Sequence, residues 1–155
     1  MTTSIGDVLL ISGPNLNLLG EREPEIYGDE TLEYHVATAA SAAAEHGLKL
    51  HHIQSNHEGE LIEAIQSARG SMAAIIINAG ALTHTSWAIH DALKSFDGPV
   101  VELHLSNPAA RESFRHVSVI APVADGTIAG FGNLGYELSV DAVSKLLSER
   151  KDASR

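Results

Sequence analysis

The sequence contains no cysteine, which removes disulfides, thiolate nucleophiles and cysteine-based zinc sites together. It is also short of positive charge. Ten Lys and Arg stand against twenty Asp and Glu, for a net charge of −10 and a pI near 5.2. That balance argues against nucleic acid or an anionic membrane surface as a partner. An anionic substrate would have to be held by local arginines against the average field. No stretch approaches the ~18 apolar residues of a membrane span. The apolar run Val8–Ile11 is too short for a signal-peptide core, and Met1–Asp7 has no basic region, so the expectation is a soluble, cytoplasmic protein. Internal repeats, low-complexity tracts and linkers are missing too. The chain is therefore read as one catalytic-sized domain, 1–155, long enough to bury roughly 68–70% of its unfolded surface.

Several motifs are missing as well. There is no His-Glu-x-x-His among the nine histidines, and the neighbouring His51 and His52 point to opposite faces of their strand, so no metal is expected. Neither G-x-S-x-G nor a phosphate-binding P-loop occurs. Gly130-Phe131-Gly132-Asn133-Leu134-Gly135 fits G-x-G-x-x-G. It precedes the last helix, however, with no later strand to supply an acidic ribose ligand, so it reads as a tight turn with close helix packing.

What is present is an alternation of short apolar runs with helical patterns, the pattern of an α/β domain with a parallel sheet. Strands are expected at Asp7–Ser12, Leu48–Ile53, Ala73–Ile77, Val100–Leu105 and Val117–Ala121. Helices are expected through Val36–Glu45 (stopped by Gly47), from Ser55–Glu58 to Gly70, from a Thr83 cap to Gly98-Pro99, and over Tyr136–Glu149, with a frayed tail at 151–155. A short arm, Pro108–Phe114, follows the fourth strand, and Gly126–Gly132 is read as a connector. Five strands suit a three-layer, flavodoxin-like sheet in the order 2-1-3-4-5 with right-handed crossovers. Its ligand crevice lies at the carboxyl ends of the strands, between the first and the third.

The polar residues gather at those ends. The first strand runs into a long segment punctuated by Gly20, Pro24 and Gly28, which brings Arg22 and Tyr27 close in sequence. A guanidinium near a phenol favours the phenolate, whose formation otherwise needs a pH near ~10, and a phenolate is a general base. The plainer reading is a loop in which Tyr27 packs down as an anchor, and the loop by itself favours it. Asn15 and Asn78 both follow strand ends, where asparagine commonly serves a turn. Facing one crevice, two such amides could hold an oxyanion or a water. His84 lies in the small-residue turn Asn78–Ser86 and is read as a neutral hydrogen-bonding group. Glu102 and His104 stand two apart on a strand and so share a face, where the carboxylate fixes the imidazole's tautomer and poises it as a general acid; a purely structural pair is the alternative. Arg111 and Arg115 have helical spacing. A surface ion pair with Glu112 is the simplest reading of Arg111, leaving Arg115 to face the cleft.

Taken together, the blocks Gly13–Asn17, Arg22–Gly28, Gln54–Gly59, Asn78–Ser86, Val101–Asn107 and Gly130–Gly132 with Gly135-Tyr136 resemble the type II 3-dehydroquinate dehydratase family over nearly the whole chain. The resemblance implies a lyase that dehydrates 3-dehydroquinate through an enolate, without cofactor, Schiff base or metal. Carried over by position, Tyr27 would be the base, Arg22 its activating cation, Asn15 the holder of an enolate-stabilising water, and His104 the acid, oriented by Glu102. Asn78 and the backbone of Leu105 and Ser106 would take the substrate carboxylate, and His84 and Arg115 the hydroxyls. Residues 19–28 would form a lid. The family assembles as a dodecamer of trimers in which Asp91 would reach a neighbour's site. Pro108-Ala109 departs from the family's aliphatic–His pair, which puts the arm carrying Arg115 in question, and Val119 stands where a tyrosine is usual. A carboxylate-sensing module and an enzyme acting on another cyclic hydroxy-ketone are the competing readings.

Overall fold

Five strands form one sheet in the order β2-β1-β3-β4-β5, with every neighbouring pair parallel. They are β1 (Gly6–Ser12), β2 (Leu48–Gln54), β3 (Ala74–Asn78), β4 (Val100–His104) and β5 (Gly126–Ala129). The computed structural model describes residues 5–21 and 23–155, so Arg22, expected beside Tyr27, lies outside the described residues. The expected order and fold class are thus those observed.

Side-chain alternation explains why the central strands are apolar throughout. Val8, Leu10, Ile76 and Leu103 face one layer of helices, α2 (Leu32–Glu45) and α5 (Leu134–Ala153). Leu9, Ile11, Ile75 and Ile77 face the other, α3 (Glu58–Ala68) and α4 (Trp87–Lys94). A parallel strand covered on both faces has no side left for polar residues. Helix starts and stops follow local chemistry. The Thr31 hydroxyl accepts from the Tyr34 amide at 3.2 Å, and Gly47 ends α2 at a φ of 71°. No helix among the described residues is long and apolar enough to cross a membrane.

Four local expectations need correction. The fifth strand is not Val117–Ala121 but Gly126–Ala129, inside what the sequence presents as a connector. The earlier segment is apolar because Val119 and Ile120 are buried against α3 and α4. Its backbone pairs elsewhere, Val119 N–H with the Thr83 carbonyl at 2.8 Å. The Ser118 hydroxyl accepts from the Ile120 and Ala121 amides at 3.1 and 2.9 Å, a side-chain turn that competes with a ladder. The second correction concerns α4, which is capped by Ser86, whose hydroxyl accepts from the Ile89 amide at 3.0 Å; Thr83 lies buried inside the preceding 3-10 turn, Gly80–His84. Third, α5 continues to Ala153, so Lys151–Ala153 is helix rather than tail. Fourth, the long loop after β1 is partly ordered into a 3-10 turn, Leu16–Leu18, and a single helical turn, α1 (Pro24–Tyr27).

Two glycines permit close approaches that shape the crevice. A Cβ on Gly13 would lie 2.5 Å from the Ala79 carbonyl oxygen, so the turns leaving β1 and β3 touch backbone to backbone. A Cβ on Gly135 would come within 3.0 Å of Leu103, which fits the close helix packing expected of the Gly130–Gly135 motif.

Candidate active site

The sheet order reverses between β1 and β3, which leaves a crevice at their carboxyl ends. A cavity opens there. Its floor is built from Pro14-Asn15-Leu16 after β1, Asn78 at the end of β3, and His104-Leu105-Ser106 at the end of β4. Tyr27 from α1 and Arg111 and Arg115 from the arm complete its wall, together with His84. The structure therefore brings together Tyr27, Asn15, His104, Asn78, His84, Leu105, Ser106 and Arg115. Asp91 does not line this cavity; it is exposed on α4.

Local bonds orient several of these groups. The Asn78 side-chain oxygen accepts from the Gly80 amide at 3.1 Å, which leaves Nδ2 as its donor end. His84 Nδ1 donates to the Val117 carbonyl at 2.7 Å, which fixes the ring's orientation at the cavity wall.

Glu102 and His104 do meet. His104 Nε2 lies 3.5 Å from the Glu102 carboxylate, which is only 2% exposed. Two further donors, unmarked by any motif, complete the carboxylate's shell. Ser118 Oγ donates to one oxygen at 2.5 Å and Thr127 Oγ1 to the other at 3.0 Å. Thr127 is the register partner of Glu102 across β4 and β5. Recognising it requires placing the fifth strand correctly. Burial pushes the Glu102 carboxyl up, but the hydrogen bonds from His104, Ser118 and Thr127 outweigh it and hold the group below the usual carboxylate range. A folded value below the unfolded one means that this carboxylate stabilises the fold above the ordinary carboxylate pKa. The benefit fades as pH falls through the depressed value. Glu102→Gln should therefore flatten the acid limb of a plot of Tm against pH. An unchanged acid limb would show that the carboxylate contributes nothing to acid stability.

The arm departs from the expected geometry and still delivers its arginines. Arg111 and Arg115 belong not to one helix but to two successive 3-10 turns, Pro108–Ala110 and Ser113–Arg115, with Arg111 just after the first. Pro108 occupies the first position of its turn, where a missing N–H costs nothing, and the Asn107 side chain accepts from the Ala109 amide at 3.1 Å. The atypical Pro108-Ala109 pair is thus absorbed locally. Arg115 Nε bonds Glu112 at 2.7 Å. Arg111 Nε is 3.8 Å from the same carboxylate oxygen, yet its guanidinium carbon also lies 5.1 Å above the Tyr27 ring and Nη1 donates to Ser106 Oγ at 3.3 Å. Arg111, read from sequence as a surface ion pair, is therefore a site residue.

Of the three tyrosines, Tyr27 alone lines the cavity. Tyr34 is exposed, and Tyr136 is buried with its ring stacked on His35 at 4.9 Å. Burial pushes the Tyr136 phenol up, against a smaller lowering by Asn78, which is the wrong direction for a base. No group of three His, Cys, Asp or Glu among the described residues is placed to hold a metal ion.

The model of the family described as dehydroquinase class II matches residues 6–144. The chain belongs to the class II dehydroquinases. Relatives agree over nearly their whole length. The 3-dehydroquinate dehydratase of Corynebacterium glutamicum (strain R) is 54% identical over 142 residues, covering 92% of this chain and 98% of that protein. That of Ruegeria pomeroyi is 54% identical over 141 residues, 91% of this chain and 95% of the relative. The crystal structure of the type II dehydroquinase from Butyrivibrio crossotus superposes with a TM-score of 0.85 at 45% identity, covering 89% of this chain and 97% of that one. In this dehydroquinase four of the six sequence blocks that carry the resemblance supply residues to one cavity.

Proposed function

We propose that this dehydroquinase converts 3-dehydroquinate to 3-dehydroshikimate by anti elimination of water through an enolate, using its own side chains and neither a Schiff base nor a metal. The observation that carries the reading is that a tyrosine beneath a guanidinium and a histidine backed by a buried carboxylate line one cavity. A proton taken from carbon alpha to a ketone leaves an electron pair that moves onto the carbonyl oxygen. The enzyme gains rate by stabilising that developing charge more than the ground state.

In this reading the Tyr27 phenolate takes the C2 proton. Arg111, whose guanidinium lies over the Tyr27 ring, supplies positive charge to the base, and the resemblance gives Arg22 the same role. Asn15 holds a water against the enolate oxygen. When the enolate collapses, the C1–oxygen bond breaks and His104, oriented by Glu102, gives the departing hydroxyl its proton, so that water leaves. Asn78 and the backbone N–H groups of Leu105 and Ser106 hold the substrate carboxylate, while His84 and Arg115 hold its hydroxyls. Residues 19–28 close as a lid that excludes water. Asp91, exposed on α4, serves the site of a neighbouring copy in a cytoplasmic dodecamer of trimers; light scattering on the purified protein checks the assembly, and a monomer mass would overturn it. A binding module without chemistry would not need Tyr27 and Arg111 paired.

None of the four lysines lines the cavity, which supports the route without a covalent intermediate. Purified protein mixed with 3-dehydroquinate should show growing ultraviolet absorbance from the conjugated enone, and borohydride added during turnover should trap no adduct. A flat absorbance trace would remove the assignment. Arg111→Ala should lower kcat by about 10²–10³-fold, in keeping with the loss of one charge aimed at a reacting group. Full activity in that variant would separate Arg111 from the chemistry.

A further inference from the structure

Asn15 has a backbone that most side chains avoid. Its φ of 68° places it in the left-handed region, which among the described non-glycine residues it shares only with Glu23. Asparagine tolerates that region better than most residues but still needs the surroundings to choose it. On the carbonyl side, Asn15 accepts from the Leu18 amide at 3.0 Å, the ordinary closure of a tight turn. On the N–H side the partner comes from the turn that follows β2. The Asn15 amide donates to the side-chain oxygen of Asn56 at 2.9 Å.

That oxygen is itself braced. Gln54, the last residue of β2, donates from Nε2 to the same Asn56 oxygen and to the Gly13 carbonyl, each at 3.2 Å. The Ser55 amide donates to the Ser12 carbonyl at 3.1 Å and continues the β1–β2 pairing one residue further. The turn leaving β2 thus grips the turn leaving β1 at the residues flanking Asn15. Neither Gln54 nor Asn56 lines the cavity.

We infer that Asn56 is a positioning residue for the elimination: its side-chain oxygen, steadied by Gln54, holds Asn15 in the left-handed conformation that presents the Asn15 side chain to the cavity. The inference rests on the reading of Asn15 as the group that holds water against the enolate oxygen. Asn56 is exposed, so water can replace its bond to the Asn15 amide at little cost to the fold. What water cannot replace is the fixed direction of the Asn15 side chain. A group that acts on charge developing only in the transition state appears in kcat and not in KM.

The test uses the full-length protein with 3-dehydroquinate. Asn56→Ala should lower kcat by about tenfold, since misplacement of a catalytic group by about 1 Å can cost up to 10²-fold. KM, the pH optimum and Tm should stay close to those of the parent. Asn56→Asp keeps an oxygen able to accept from both N–H groups and should recover most of the lost kcat. Asn15→Ala should be at least as slow as Asn56→Ala, and combining the two should slow the enzyme no further, because Asn56 acts through Asn15. A fast Asn56→Ala beside a slow Asn15→Ala would overturn the inference alone, as would an Asn56→Asp no faster than the alanine variant. A fast Asn15→Ala would remove the assigned role of Asn15 and the inference with it.

Discussion

Tyr27→Phe should lower kcat by about a thousandfold, within the 10²–10⁴ range for loss of a general acid or base and equivalent to roughly 4 kcal/mol of barrier. The substitution removes one oxygen and keeps the ring. Arg111 retains an aromatic face beneath it, 5.1 Å from the ring centre. The apolar side of Tyr27, which packs against the core layer beneath α2 and α5, is retained as well. Affinity for substrate or product should accordingly be nearly unchanged, as titration calorimetry on the variant would show. The pairing of lost turnover with retained binding is what identifies a base. If the phenylalanine variant turned over at the parent rate, another group would have to take the proton, and neither of the other two tyrosines is placed to do so.

His104→Ala should cost turnover on a comparable scale, about 10²–10⁴-fold, for a different reason. His104 acts after the enolate forms. With Tyr27 intact, the first half of the reaction should survive its removal. In deuterated water the variant should continue to exchange the C2 proton of 3-dehydroquinate while releasing almost no product. The Glu102 carboxylate would keep Ser118 and Thr127 as donors, so the variant should fold. If exchange stopped along with product release, the division of labour between Tyr27 and His104 would be wrong.

The Glu102–His104 pair was readable from sequence because a strand has a period of two and the pair stands at the end of one. The same logic located Asn15 and Asn78, each just past the apolar run of its strand. Arg111 escaped because the arm is built from two 3-10 turns, whose side-chain directions do not follow the helical spacing used to read it. Ser118 and Thr127 escaped together. Apolar content made Val117–Ala121 look like a strand, and only the register of Thr127 against Glu102 reveals what the true β5 contributes. Asn56 was visible as part of a sequence block, but its hydrogen bond to the backbone of Asn15 spans 41 residues, and no periodicity encodes such a contact.

By itself the amino-acid order determined the α/β class, the five parallel strands with their order and the ends at which polar groups collect. These follow from the alternation of apolar residues and from turn chemistry, both local properties. Tertiary structure decided which arginine lies over Tyr27, which hydroxyls surround Glu102 and what holds Asn15 in its left-handed turn. Those pairings depend on how turns from different strands pack against one another, and that packing is settled only when the whole sheet closes its two apolar faces at once.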